Sequence, residues 1–216
     1  RGNQDPAEMV DQLISLGIGL LFCVGGDGTL KGASAIAQEI MKRALPIGVI
    51  GVPKTIDNDL GFVERTFGFE TSVQVASEII TSANSEAEGA ENGIGIVKVM
   101  GRDSGFIAAT AALANSVVDF CLIPEIDLNL DGDQGLIDAL KSTLDLNHHA
   151  VIVVAEGAGQ NLFHSSKQRL DDSGNVLKDD IGIFLRDVIS QKMQEHGRSV
   201  TMKYLDPSYH IRSGPA

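Results

Sequence analysis

Residues 24–59 read VGGDGTLKGASAIAQEIMKRALPIGVIGVPKTIDND, and this stretch decides the fold. An apolar run over residues 18–24 stops at Gly25-Gly26-Asp27-Gly28-Thr29. A segment rich in Ala, Ile, Glu and Lys, with helical character, follows over 30–43. A second apolar run over 47–52 stops at Pro53-Lys54-Thr55-Ile56-Asp57-Asn58-Asp59. Strand, helix, strand within about 30 residues is a βαβ unit, whose crossover makes the two strands parallel. Both Asp-bearing turns therefore leave the same sheet edge, the edge at which open α/β sheets bind ligands.

Outward from this unit the alternation continues. Upstream, Asp5 as N-cap and Pro6 at the first helical position open a helix over 6–16. Downstream, Val73, Ala76, Ile79 and Ile80 make the apolar stripe of a helix over 70–87. A strand over 93–99 ends at Met100-Gly101-Arg102-Asp103-Ser104-Gly105 and leads to a small-residue helix over 106–115 that packs closely against a neighbour. Short strands are predicted over 119–123, ending at Pro124-Glu125, and over 150–155, ending at Glu156-Gly157, with a helix over 134–144 between them. Residues 157–178 read as loop with a hairpin turn at 172–175. Asp180 then caps a helix to residue 196, and 199–204 is the last strand. Tyr209, His210 and Arg212 fall in a Pro- and Gly-bounded loop. The adjacent His148 and His149 would face opposite ways on a strand and are read as structural.

The expected class is therefore α/β, with two Rossmann-like parallel-sheet domains facing across a substrate cleft and seen as a partial chain. The passage to a second sheet after Asp59 divides it into 1–67 and 68–216.

Composition narrows the function. Of 216 residues, 43% are apolar, enough for a sizeable core, and no apolar run approaches the ~18 residues of a membrane span. A net charge of −12 speaks against a nucleic-acid or anionic-membrane surface. Phosphate ligands would have to be met by particular cations, with Lys54, Lys98, Arg102 and Arg212 as candidates and a divalent metal supplying the rest. Cys23 and Cys121 sit in apolar runs and read as buried free thiols of a reducing compartment, which points to the cytoplasm. No start methionine precedes Arg1, and a fragment or a chain trimmed by disorder is expected.

The motifs suggest phosphoryl transfer. In Gly-Gly-Asp-Gly-Thr the glycines admit backbone N–H groups close to a phosphate, the next helix offers its positive end, and Asp27 can hold a metal. An ordinary strand-to-helix turn is the bland alternative. In an extended Thr55-Ile56-Asp57-Asn58-Asp59, alternate side chains Thr55, Asp57 and Asp59 converge on one side. There one carboxylate can accept a hydroxyl proton while another helps place a metal; a solvated acidic turn is the alternative. Lys54 beside them becomes a charge clamp in a phosphate cleft, and otherwise simply offsets that acidity. Arg102 at a strand end can grip phosphate oxygens with its planar fork, or simply pair with Asp103. Glu156 can accept sugar hydroxyls, or merely end a strand.

Taken in order, GGDGT, PKTIDND, FGFETSV, MGRDSGFIA, IPE, AEG and YLDPSYHIR resemble the phosphofructokinases across nearly the whole chain. NAD kinases and diacylglycerol kinases share a GGDGT-like turn but not the TIDND and MGR elements. The resemblance implies an ATP-dependent glycolytic 6-phosphofructokinase with Mg2+ as cofactor, ATP as co-substrate and fructose 6-phosphate as substrate. It further implies allosteric control and a homo-oligomeric assembly, dimer or tetramer.

By the same resemblance Asp27 binds magnesium, and Gly26, Gly28, Thr29 and Gly32, with Arg1, line the nucleotide site. Asp57 is the base for the sugar 1-hydroxyl, assisted by Thr55, Asp59 and Lys54. Arg102 touches the transition state or the sugar phosphates. Met100, Gly101, Glu156, Tyr209 and Arg212 surround the sugar phosphate. Residues 1–67 would then be the ATP/magnesium domain and 68–216 the fructose 6-phosphate domain. The family's amino-terminal Gly-rich loop and carboxyl-terminal remainder would lie outside these residues.

Two departures stand out. Gly93 falls where bacterial short-chain members carry an arginine that reaches a neighbouring subunit's sugar phosphate, and Lys54 replaces their glycine. Gly28 together with Lys54 is similar to the ATP-dependent branch of plants, trypanosomatids and some bacteria. Pyrophosphate-dependent phosphotransfer and a non-catalytic subunit or inert fragment are the alternatives.

Overall fold

The computed structural model describes residues 5–132, 135–163 and 178–214, which fall into two compact units, residues 1–68 and 69–216. Arg1 and the turn expected at 172–175 lie outside the described residues.

In the first unit, α1 (Pro6–Ser15) starts as expected, with the Asp5 carboxylate accepting from the Ala7 N–H at 2.9 Å. It is followed by β1 (Leu20–Gly25), α2 (Asp27–Lys42), β2 (Gly48–Thr55) and the two-residue β3 (Phe67–Gly68). The sheet is parallel throughout, in the order β1-β2-β3, with Val24 opposite Val52 and Lys54 opposite Phe67. Val10, Leu13 and Ile40 form the core, packed by Leu21, Ile36 and Val49. The two-residue period of β1 separates Leu21 and Cys23, on the covered face, from Leu20, Phe22 and Val24, which are 50, 57 and 58% exposed. Ile50, the register partner of Phe22, is exposed with them.

In the second unit, α3 (Phe69–Glu88), β4 (Gly93–Val99), α4 (Phe106–Ala114), β5 (Phe120–Leu122), α5 (Leu136–Asn147), β6 (His149–Ala155), α6 (Ile181–Glu195), β7 (Thr201–Leu205) and α7 (Ser208–Ser213) build a parallel sheet in the order β5-β6-β4-β7. On one face Ile94, Ile96, Ile152 and Val154 pack with Leu140 and Leu144 of α5 and Leu185 and Ile189 of α6. On the other, α3 lies so close that a Cβ on Gly93 would stand 2.0 Å from the Ala87 carbonyl oxygen and one on Gly95 3.1 Å from that of Ala83. The small-residue helix α4 packs against α3 and β6. With helices on both faces, β4 and nearly all of β6 are buried, the usual state of a parallel sheet.

Several local expectations need correction. Helix α2 begins at Asp27, not at residue 30, so the Asp-Gly-Thr of the first motif is itself the helix's first turn. The segment 55–59 is not extended. β2 ends at Thr55, the Asp57 N–H bonds back to the Thr55 hydroxyl at 3.3 Å, and Asn58 takes the left-handed conformation (φ 54°), which ends the alternation before Asp59. Residues 208–213 are helical rather than loop, because Ile211 buries its side chain. His148 is the left-handed cap that ends α5, and only His149 is in a strand. Cys23 is half-buried and Cys121 exposed on the edge strand β5, and both are free.

Candidate active site

In the first unit the carboxyl ends of the parallel neighbours β1 and β2 bring the two Asp-bearing turns to one edge. A Cβ on Gly25 would overlap the Thr29 side chain, with 2.2 Å to its hydroxyl, and one on Gly26 would touch Thr55 at 3.5 Å. The Gly-Gly pair thus lets the first turn of α2 lie directly against the end of β2. Gly28 and Gly32, one helical turn apart, face open space, with nothing within 4 Å of an added Cβ. Asp27 is exposed at the positive end of α2, where Lys31 pairs with it at 2.7 Å.

The loop after β2 is held by two residues that the motif reading passed over. The Asn58 side chain accepts from the Thr66 N–H at 2.9 Å and donates to the Glu64 carbonyl at 3.3 Å. The buried Thr66 hydroxyl donates to the Thr55 carbonyl at 2.7 Å. Between these staples Thr55 and Asp57 are half-buried, whereas Lys54 and Asp59 are exposed. An Asn between two Asp residues was the available signal, since Asn tolerates the left-handed turn and can bond across it.

In the second unit β6, β4 and β7 are adjacent and parallel, so Glu156, the Met100-Gly101-Arg102 turn and Asp206 share one edge. The Gly157 N–H bonds to the Gly101 carbonyl at 3.1 Å, and the Glu156 N–H to that of Val99 at 2.9 Å, which staples the two turns together. Gly101 has φ 129°, and a Cβ on Gly157 would stand 1.9 Å from the Arg102 carbonyl oxygen, so neither position tolerates a side chain without movement. Met100 and Arg102 are half-buried. Arg102 Nε lies 3.9 Å from the Glu156 carboxylate, and it is Lys178, at 3.0 Å, that pairs with Asp103. Burial raises the Glu156 pKa above the ordinary carboxylate range, against the opposing pull of Arg102 and Lys98.

Lys98, Arg102, Glu156, Lys178, Asp179 and Asp180 line a cavity of about 150 Å³. A neighbouring cleft of about 270 Å³ shares Arg102 and Lys178 and runs past Pro124, Gly157 and Gln160. The Gln160 side chain donates to the Asp179 carbonyl and accepts from its N–H, both at 3.2 Å, tying the turn after β6 to the segment that leads into α6. Tyr209 (81% exposed) and the exposed Arg212 are on α7, and the Arg212 charge is felt at Glu156.

Lys98 was a candidate phosphate cation, but its ammonium is already engaged. It lies 2.8 Å from Asp180 and 2.9 Å from Asp206, and the Tyr204 hydroxyl donates to Asp180 beside it at 3.3 Å. Burial would lower its pKa, but these hydrogen bonds more than offset burial and hold it well above the ordinary lysine range. Burial likewise pushes the Tyr204 phenol up to about 12. Asp180 was expected only as a helix cap; it fills that role and this one too.

Gly93, the departure noted above, has a steric explanation. A side chain there would strike the backbone at the end of α3, so an arginine cannot be accommodated without moving that helix.

Among the described residues no helix is long and apolar enough to cross a membrane, and no group of three or more His, Cys, Asp or Glu is placed to hold a metal ion.

The family profile described as Phosphofructokinase matches residues 1–214. The ATP-dependent 6-phosphofructokinase of Borreliella burgdorferi is 50% identical over 222 residues, covering all of this chain and 50% of that protein. The ATP-dependent 6-phosphofructokinase of Trypanosoma brucei brucei is 47% identical, covering all of this chain and 44% of that one. The chain thus spans about half the length of the curated relatives it matches. Among solved structures, the pyrophosphate-dependent phosphofructokinase of Marinobacter aquaeolei superposes with a TM-score of 0.75 at 24% identity, over 99% of this chain and 50% of that one, a likeness of fold.

Proposed function

The chain belongs to the phosphofructokinase family, and from that premise we propose that its protein is an ATP-dependent 6-phosphofructokinase. It transfers the γ-phosphoryl group of Mg-ATP to the 1-hydroxyl of fructose 6-phosphate, giving fructose 1,6-bisphosphate and ADP. The observation that carries this reading is the meeting of the Gly25–Thr29 turn and the Thr55–Asp59 loop at one end of β1 and β2, with the amino end of α2 open beside them.

Residues 1–67 supply the nucleotide side. Gly26, Gly28 and Thr29 bring backbone N–H groups and the helix end to the phosphates, Gly32 leaves room for the nucleotide beside them, and Arg1 joins them. Asp27 is the magnesium ligand. An exposed carboxylate suits this ion, which is typically held by one or two carboxylates together with substrate phosphates and water, and the exposed Lys31 ammonium now paired with it would have to swing aside. Magnesium supplies neutralisation of the transferring charge. Asp57 accepts the proton of the sugar 1-hydroxyl, Thr55 and Asp59 orient it, and Lys54 faces the phosphates.

Residues 68–216 supply the sugar side. Arg102 offers its fork to phosphate oxygens, Met100 and Gly101 border the ring, and Glu156 accepts its hydroxyls. Tyr209 and Arg212 meet the 6-phosphate. The protein is cytoplasmic and works as a homo-oligomer.

The donor follows from Gly28. A carboxylate there would project into space that is empty around this glycine, adding bulk and negative charge beside the proximal phosphates. A clash of this kind rejects ATP but not pyrophosphate, whereas the Lys54 charge helps either donor. A coupled assay of the full-length enzyme is expected to give a far higher kcat/KM with Mg-ATP than with pyrophosphate, and Gly28→Asp is expected to suppress ATP use selectively. A wild type that prefers pyrophosphate would overturn the donor assignment. One that phosphorylates fructose 6-phosphate with neither donor would overturn the kinase.

A further inference from the structure

Asp180 and Asp206 each divide their two carboxylate oxygens in the same way. Asp180 Oδ1 accepts from the Gly182 and Ile183 N–H groups at 3.0 and 3.2 Å, capping α6. Asp206 Oδ1 accepts from the Ser208 N–H at 3.2 Å and from the Ser208 hydroxyl, holding the start of α7. The second oxygen of each, Oδ2, goes to the ammonium of Lys98, whose side chain is 11% exposed. The Tyr204 hydroxyl joins the same group by donating to Asp180 Oδ1 at 3.3 Å. One lysine on a central strand therefore ties together the starts of two helices that follow different strands.

The consequence falls mainly on α7. This helix has only six residues, too few to hold itself, and its one buried side chain is Ile211, with Gly214 just beyond it against Val75 and Thr71 of α3. A short rod anchored at one point can still pivot. The Asp206 link to Lys98 supplies a second anchor at its other end, and that fixes where Tyr209 and Arg212 are presented. Lys98 also lines the cavity that holds Arg102 and Glu156, so the clamp and that cavity share a wall.

We propose that Lys98 is a positioning residue for sugar-phosphate binding: by clamping Asp180, the cap of α6, and Asp206, which holds Ser208 at the start of α7, it keeps Arg212 and Tyr209 at the sheet edge that carries Arg102 and Glu156. This rests on the fructose 6-phosphate reading given above. In this role Lys98 acts through Arg212.

The test uses the full-length enzyme. Lys98→Met removes the clamp but leaves two partly buried carboxylates facing each other, so Asp206→Asn is the companion variant. It keeps an acceptor for the Ser208 N–H while losing the charge that Lys98 requires. Two measurements are made on each folded variant. Hydrogen exchange over residues 207–213 is expected to accelerate while residues 27–42 are unchanged. The KM for fructose 6-phosphate is expected to rise about tenfold or more, the scale of one lost charge-assisted hydrogen bond, with the KM for ATP unchanged. In an Arg212→Ala background the same variants should add little to the fructose 6-phosphate KM, because the residue through which the clamp works is gone. Unchanged exchange in 207–213 overturns the clamp whatever the substrate proves to be. An equal rise in both KM values, or full additivity with Arg212→Ala, overturns the positioning role. A wild type that does not turn over fructose 6-phosphate refutes the functional reading instead, and needs no variant to be seen.

Discussion

Replacing Gly157 with alanine would separate the two turns that carry Arg102 and Glu156. The added Cβ would stand 1.9 Å from the Arg102 carbonyl oxygen, 2.7 Å from its carbon and 3.2 Å from the Gly101 carbonyl oxygen. Real Cβ contacts essentially never fall below 3.0 Å, so the turns must part by about 1.1 Å or more. The obstacle is backbone, not a side chain that could swing away. The Gly157 N–H to Gly101 carbonyl bond, 3.1 Å long, stretches as they part. Overpacking of this kind costs about 1–3 kcal/mol, and the weakened hydrogen bond adds about 1 kcal/mol. Misplacing a catalytic group by ~1 Å costs on the order of 10²-fold in rate. Thermal unfolding of the full-length variant is therefore expected several degrees below wild type, with kcat/KM for fructose 6-phosphate lower by about two orders of magnitude. Normal melting together with normal kcat/KM would refute the reasoning that this glycine is imposed by the approach of the two turns.

Gly32→Ala should do the opposite to stability: it adds a Cβ in open space within α2, so the helix gains roughly 0.5–1 kcal/mol by thermal melting, while the KM for ATP rises because the methyl intrudes on the nucleotide site, and an unchanged KM would remove Gly32 from that site. Glu156→Gln should stabilise the fold at neutral pH and progressively less in acid. Burial raises the carboxyl's folded-state pKa, so its contribution to stability is complete below the unfolded value and lost as pH rises through the folded one; melting curves at pH 4 and pH 7 test this, and an equal difference at both would contradict it. Asp57→Ser should leave fructose 6-phosphate binding nearly intact by calorimetry and lower kcat by about 10²–10⁴-fold, and near-normal turnover would remove Asp57 from the mechanism.

Sequence legibility followed the range of the interactions involved. Asp5 and Asp180 were readable as caps because the groups they bond lie two or three residues away. The parallel pairing of β1 with β2 was readable because the intervening helix announces the crossover. β3 was not, since two residues carry no period and exist as a strand only through Lys54 and Thr55 of β2. α7 was hidden by Pro207 and Gly214, which punctuate a loop as readily as they bound a short helix, and its stability comes from tertiary burial of Ile211. The bend after Thr55 was lost to an assumption of alternation that one left-handed Asn58 cancels. Most distant from sequence is the partnership of Lys98 with Asp180 and Asp206, which needs the order β6-β4-β7 to bring them together. A lysine one residue before the end of an otherwise apolar strand was a visible anomaly, but its partners were not.

The bare side of the first sheet bears on how this polypeptide can be handled. A row of Leu20, Phe22 and Val24 beside Ile50 is a surface that a parallel sheet ordinarily keeps under a second layer. Prepared as a separate piece, these 216 residues should stick to one another in a concentration-dependent way, brighten a hydrophobic dye, and attract the chaperones and proteases that patrol for such faces in a cell. The second unit carries its own helices on both sides and should tolerate isolation far better. A preparation that keeps the first unit monodisperse must therefore keep that face covered, and light scattering over a concentration series would show whether it does.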